Sequence, residues 1–552
     1  MTANLCRLVE KHPAWMLALA TVAMLLPFLA RPFDIDDPLF VWAAKQIQAH
    51  PFAPYSFDVN WYGSVMPMWK ITENPPLGPA FLALGATVFG WSEWALHLTS
   101  LLPAIAVVLG TYRLAGKFCA RPILAGLAVL FAPVFLVSGT SVMCDVPMLA
   151  CWVWAVVFWV EGLENRPGKL FFSAMLIAAA AMTKYYGACL MPLLAAYALA
   201  LRRPLRGWAP FLLIPLLVLC FYQYVTQAAY GYSLLYRAMD YAKFSQQTGG
   251  VARAQAGIIA LIFVGGGIAP VIFLAPVWMN RRWFLAMLCV LAVFSPAIFA
   301  GGFLWKNYSS ITAENMTPVK VQCLIWLVAG FLTMALALVE WLRRKDALSL
   351  LLMLWVLGTF WFAAFSNWTV NARSILPMTP ALAILLARRL DNRKPPRNFL
   401  TGAGLFAGAV LALMVASADF QRAEAVCKSA AAVHEKFHDA PGRLWSQGHW
   451  GFQFYMEAGG ATEQDFKRAG QNSGDLIAVP HFNTDNFVLD TNRVWLLGDL
   501  KVSGPRCLTT WNPGTGAGFY AAAFGPLPFA FGVVPPEAVS VFEVKPPAIS
   551  GR

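Results

Sequence analysis

Apolar runs of about 20 residues recur from Trp15 to about Ala418 and then stop, each long enough at 1.5 Å per residue to cross roughly 30 Å of hydrocarbon. Only 12% of the 552 residues are charged and 59% are hydrophobic, whereas soluble proteins carry roughly 25% charge. The pattern excludes a soluble enzyme. It predicts an α-helical multi-pass membrane domain over residues 1–418 and a polar domain over residues 419–552.

Thirteen crossings are expected, at about 14–30, 94–115, 121–140, 146–163, 170–183, 186–201, 208–228, 257–279, 283–303, 322–342, 347–365, 375–390 and 398–418. A net charge of +13 would suggest nucleic acid in a soluble protein; here the basic residues report topology, and no nucleic-acid partner is expected. With the N-terminus inside, the cytoplasmic segments hold 20 Lys and Arg, the outer loops 10 and the tail 11, in line with the positive-inside bias. An odd number of crossings then puts the tail outside. The first segment follows Arg7 and Lys11 as a signal peptide would, yet Arg31-Pro32-Phe33-Asp34 offers no small-residue cleavage site, so a retained anchor is expected. Eight of the ten cysteines precede the tail, where a thiol behaves as a small hydrophobe. Cys427 and Cys507 would pair only in an oxidising compartment.

Leu170–Leu201 is 32 residues long and flanked by Lys169 and by Arg202, Arg203 and Arg206. Both ends look cytoplasmic, so the segment must go out and return. Its tip, Thr183-Lys184-Tyr185-Tyr186, then lies below the outer surface, a depth at which lysine is tolerated only beside protein or a water-filled cavity. Residues 31–93 are rich in aromatics and should lie on the membrane, with an interfacial helix over 76–90 beside Trp91 and Trp94. The tail reads as a small α/β domain, with a helix over 423–438, strands over 443–446, 475–479, 494–498 and 539–544, and a turn-rich end.

Asp36 and Asp37, beside Asp34, suit a general base or a cation site, or alternatively a helix N-cap before Pro38. Glu73 stands at the entrance to the interfacial helix. Asp145 opens a crossing in Met143-Cys144-Asp145-Val146-Pro147, where an unpaired carboxylate is costly. Lys184 and Arg373 are the cations best placed to meet a phosphate; Arg237, Lys243, Arg253, Lys306 and Lys320 read as surface charges. Gly265-Gly266-Gly267 suits helix packing. His434 and His438 share a helix face, solvated more readily than metal-bound. The aromatics from Trp445 to Tyr455 suit core packing over sugar stacking.

The Asp36-Asp37 pair, Glu73-Asn74-Pro75-Pro76-Leu77, the Asp145-Val146-Pro147 opening, Met182-Thr183-Lys184-Tyr185-Tyr186 and Arg373-Ser374-Ile375-Leu376-Pro377 resemble motifs of the GT-C class of integral-membrane glycosyltransferases. The resemblance is to the family 39, PMT-like group, which includes protein O-mannosyltransferases and the bacterial lipid A aminoarabinose transferase. It implies transfer of a sugar from a polyprenyl-phosphate donor to a lipid, glycan or protein acceptor at the outer face of a bacterial inner membrane. Carried over by position, the catalytic set is Asp36 as general base, Asp37 in place of the family's usual Glu, and Asp145. The substrate-binding set is Glu73, Lys184, Tyr185 and Arg373. The aminoarabinose enzyme holds a metal through a glutamate and a histidine. Glu73 matches the glutamate, but residues 229–256 contain no His, so no cofactor is required and a divalent metal near Glu73 is in doubt.

The bottom-up chemistry agrees: a carboxylate takes the acceptor proton while preorganised cations stabilise the departing phosphate. A transporter or lipid flippase would also gather charges in a membrane cavity, but through inverted repeats and broken helices near the midplane. No such pattern is evident in the sequence, and the acidic residues collect toward one face.

Overall fold

The computed structural model describes residues 12–72, 74–248, 253–392, 397–468 and 470–546. Among them, seven helices are long and apolar enough to cross a membrane: Glu93–Ala115, Asp145–Gly162, Ala209–Tyr230, Arg281–Phe299, Ala313–Arg344, Ala347–Ser366 and Asn398–Phe437. Shorter apolar helices cover Pro13–Phe28, Leu77–Phe89, Pro167–Thr183, Tyr185–Ala200 and Ala254–Gly267. The protein is a predominantly helical multi-pass membrane protein with a small C-terminal α/β domain. Two expected crossings are broken, contrary to the uninterrupted helices read from the sequence. Residues 121–140 divide into Ile123–Leu130 and Pro133–Gly139 around an extended Ala132, because Pro133 has no N–H to donate and opens a new helix instead. Pro270 does the same within 257–279, which becomes Arg253–Gly267, Pro270–Phe273 and Ala275–Trp278.

The glycine run packs helices, as expected. A Cβ on Gly265 would collide with the Trp326 carbonyl, and one on Gly330 with the Leu261 carbonyl, so these two helices meet backbone to backbone. The 170–201 hairpin also forms. Pro167–Thr183 ends at an extended Lys184, and a single 3-10 turn, Tyr185–Cys189, leads into Leu190–Ala200. After the first helix come an Asp37–Ala49 helix, an antiparallel pair of short strands, Asp58–Asn60 with Val65–Pro67, and a helix, Leu77–Phe89, within the stretch expected to be helical.

The boundary expected at residue 418 falls inside a continuous helix, Asn398–Phe437. The last membrane helix and the first tail helix are therefore one element. Its end packs through Val426, Ala430 and Val433 onto Phe452, Met456, Val539 and Val541 of the tail. The sheet has the order 462–463, 444–446, 476–480, 537–544, 494–502, parallel among the first three strands and antiparallel across the last two pairings. All four expected strands are present within it. The turn-rich stretch between Leu508 and Phe531 leaves this sheet and returns to the membrane domain: Thr312 N donates to Gly514 O at 3.0 Å, Ala372 N to Phe519 O at 2.9 Å and Ala522 N to Val370 O at 2.8 Å.

Buried charges fasten this junction. Arg31, inaccessible to solvent, meets Asp37 at 2.7 Å and Asp419 at 3.0 Å. The other oxygen of Asp419 accepts from Thr510 at 2.7 Å and Tyr520 at 2.9 Å, while Arg422 pairs with Asp34. Glu537 sits on the neighbouring strand, and burial raises its carboxyl from 4.5 to about 8, with Arg422 opposing. Cys427 is a partly buried free thiol and Cys507 an exposed one.

Removing one partner from a buried ion pair strands the other charge at a cost of about 3–5 kcal/mol. Asp419→Ala is therefore expected to lower the melting temperature of the detergent-solubilised protein sharply, and an unchanged melting curve would show Arg31 finding another partner. The raised Glu537 carboxyl takes up a proton on folding, so its contribution is fully present below pH 4.5 and fades as pH rises toward about 8. Glu537→Gln should flatten the decline of melting temperature across that window.

Candidate active site

Asp36 lies at the turn into the Asp37–Ala49 helix and makes no side-chain capping hydrogen bond there, which removes its capping alternative. Asp36 and Asp145 both line one cavity of about 730 Å³, bounded by residues 35–72 and 74–79, by Cys144, by the hairpin tip, by the Leu234–Thr248 helix, by residues 362–373 and by the tail.

Four charged groups from four separate segments form a chain along its wall. Lys184 Nζ lies 2.6 Å from Asp145 Oδ1. Arg373 Nη1 is 3.9 Å from Asp145 Oδ2, and Arg373 Nη2 is 2.9 Å from Asp36 Oδ2. Asp36 is the most accessible of the four at 29%, and Asp145 the least at 3%. Burial alone would lower the Arg373 guanidinium, but Asp36 and Asp145 more than offset it and raise it above its ordinary value. Arg373 Nε is buried with no hydrogen-bond partner among the described residues. Leaving such a donor unpaired costs about 1–3 kcal/mol. Tyr185 and Lys243 also line the cavity.

Asp37 belongs elsewhere, which corrects its place beside Asp36 in the expected catalytic set. It is inaccessible to solvent, and its oxygens accept from Arg31, from the Asp34 amide at 3.1 Å and from the Val142 amide at 3.0 Å. Its carboxyl is raised by burial, with Arg31 opposing. The two aspartates are sequence neighbours on opposite sides of the chain: one faces the cavity, the other ties the loop to the segment leading into Asp145.

Glu73 lies outside the described residues, as does the Arg253 side chain. Arg237 donates to the Lys70 carbonyl, and Lys320 to that of Phe299 at 3.1 Å. His434 is hydrogen-bonded to the Met456 carbonyl at 3.1 Å and His438 to that of Glu435 at 2.9 Å. Among the described residues no group of three or more His, Cys, Asp or Glu could hold a metal ion.

Sequence reasoning missed the part of the wall supplied by the tail. Tyr520 hydrogen-bonds Asp419 and lays its ring 5.6 Å from the Arg373 guanidinium, so a residue from the turn-rich end steadies the central cation of the chain. His449, Trp450, Thr484 and Asp485 reach the same cavity. Of these, only Trp450 belongs to the aromatic run the sequence marks; the return of residues 508–531 to the membrane domain and the docking of residues 449–466 on residues 33–63 bring the tail over the site.

Residues 73–225 match the family model described as dolichyl-phosphate-mannose-protein mannosyltransferase. None of the curated proteins matches the chain. Among solved structures, the Archaeoglobus fulgidus oligosaccharyltransferase in the apo form is similar at 13% identity and a TM-score of 0.49, over 82% of this chain. The chain spans 63% of the length of that protein. ArnT from Cupriavidus metallidurans bound to undecaprenyl phosphate is similar at 15% identity and a TM-score of 0.43, covering 86% of this chain and 93% of its own. Its apo state gives 16%, 0.42, 85% and 93%. The resemblance to PMT-like glycosyltransferases read from the short motifs is borne out by the family model, which spans Glu73, Asp145, Lys184 and Tyr185.

Proposed function

We propose that the protein is a membrane glycosyltransferase that moves a sugar from a polyprenyl-phosphate-linked donor to an acceptor hydroxyl at the outer face of a bacterial inner membrane, with the tail on that outer side. The observation that carries this reading is the convergence of Asp36, Arg373, Asp145 and Lys184 on one cavity. The family match over residues 73–225 supports it.

Asp36 is the general base, because it alone of the cavity's two acidic chain members is open enough to meet a hydroxyl. The acceptor oxygen attacks the anomeric carbon and its proton passes to Asp36. The bond from that carbon to the phosphate oxygen breaks, and polyprenyl phosphate leaves with its electron pair. A single displacement of this kind inverts the anomeric configuration. Lys184 and Arg373 stabilise the charge gathering on the phosphate, an effect that is large where the donors are fixed in advance. Asp145, paired to both, positions them and does not touch the sugar, a revision of the catalytic role expected for it.

Mass spectrometry of lipid co-purified with the protein is expected to identify a polyprenyl phosphate or its glycosylated form; phospholipid alone would overturn the reading. With the identified donor, Asp36→Asn should lower transfer about 10²- to 10⁴-fold while lipid occupancy persists. Lys184→Met should instead reduce occupancy itself.

A further inference from the structure

His449 has a side chain only 5% exposed, on the tail's contribution to the cavity wall. Its ring stacks on Trp61 at 4.7 Å, and its backbone is clamped by Asn483, which accepts from His449 N at 2.9 Å and donates to His449 O at 2.9 Å. The clamp carries the next two residues with it. Thr484 Oγ1 lies 3.0 Å from His449 Nε2. Asp485, held in the left-handed region at φ 58°, brings a carboxylate oxygen to 3.1 Å from His449 Nδ1. That approach is off the axis a hydrogen bond needs, and Nδ1 has no hydrogen-bond partner among the described residues.

The carboxylate fixes the tautomer. With a carboxylate oxygen 3.1 Å away, a proton on Nδ1 is favoured over a lone pair there, and the Thr484 hydroxyl then donates to Nε2. A buried N–H donor and a one-third-exposed carboxylate acceptor then stand side by side on the wall. Only a group that accepts and donates at once satisfies both. A carboxylate or phosphate would be repelled by Asp485, and an ammonium would leave the Nδ1 proton unmet. A hydroxyl fits, and Tyr62 and Trp450 on the same wall offer apolar surface of the kind a sugar ring covers.

We propose that this end of the cavity is the acceptor subsite and that the acceptor is a carbohydrate, with one hydroxyl bridging His449 Nδ1 and Asp485. The assignment rests on the glycosyl transfer proposed above. Asp485 is its specificity-determining residue, distinct from the Asp36 base.

The full chain in lipid nanodiscs would be titrated with methyl α-D-mannopyranoside and methyl β-D-glucopyranoside, followed by saturation-transfer NMR, with undecaprenyl phosphate binding measured in parallel by native mass spectrometry. At least one glycoside should bind the wild type. Its dissociation constant should rise about tenfold in Asp485→Ala, the loss of a hydrogen bond to a charged group. Asp485→Asn, which keeps the left-handed preference and the shape, should weaken it similarly with an unchanged melting temperature. Asp499→Ala, a tail carboxylate outside the cavity wall, should leave it unchanged. Absence of saturation transfer from both glycosides in the wild type, or wild-type affinity retained in both Asp485 variants, overturns the subsite. Failure of the wild type to bind undecaprenyl phosphate strikes the transfer reaction instead, whatever the glycosides do.

Discussion

The site depends on a charge that never meets water. Arg31 follows the first helix directly and has no accessible surface, yet it bonds Asp37 from its own loop and Asp419 from the long C-terminal helix. A guanidinium so far from solvent is sustained only by partners on both sides. Because Asp37 also holds the Val142 amide, Arg31 fixes in one cluster the loop that carries Asp36 and the chain entering Asp145. Because Asp419 also holds Tyr520, the same cluster brings the tail against Arg373. The cavity wall is thus set by residues that do not line it.

The wall itself is electrically balanced. Two carboxylates and two cations alternate along it, from Lys184 through Asp145 and Arg373 to Asp36. In such an alternation each charge faces a partner of opposite sign. Under the reaction proposed above, the donor phosphate competes with the carboxylates for the same two cations, and the partner it displaces most readily is the accessible Asp36. Substrate binding and release of the base from its ion pair would then be one event.

The sequence made the membrane architecture legible because hydropathy and charge act locally. The hairpin at Lys184, the helix at Leu77–Phe89, the packing glycines and the four tail strands all follow from periods and residue types within short windows. The interruptions at Pro133 and Pro270 were legible in principle from proline chemistry but were masked by the continuous apolar run around them. Asp36, Asp145, Lys184 and Arg373 stood out because a charge beside hydrocarbon needs a reason. Asp37 misled for the same cause: adjacency in sequence suggested a shared role, whereas the turn at this position points the two side chains apart. His449, Asp485 and Tyr520 were beyond reach, since in a polar tail such residues are ordinary and only long-range packing gives them a site.

The Asn398–Phe437 helix runs 40 residues without a break, about 60 Å at the standard rise. A single rod of that length joining the membrane domain to the tail, stapled near its middle by Asp419, gives the tail no hinge there about which to swing. The cover over the cavity is then architecture, not a door, and under the proposed transfer the acceptor must travel to it through gaps between elements.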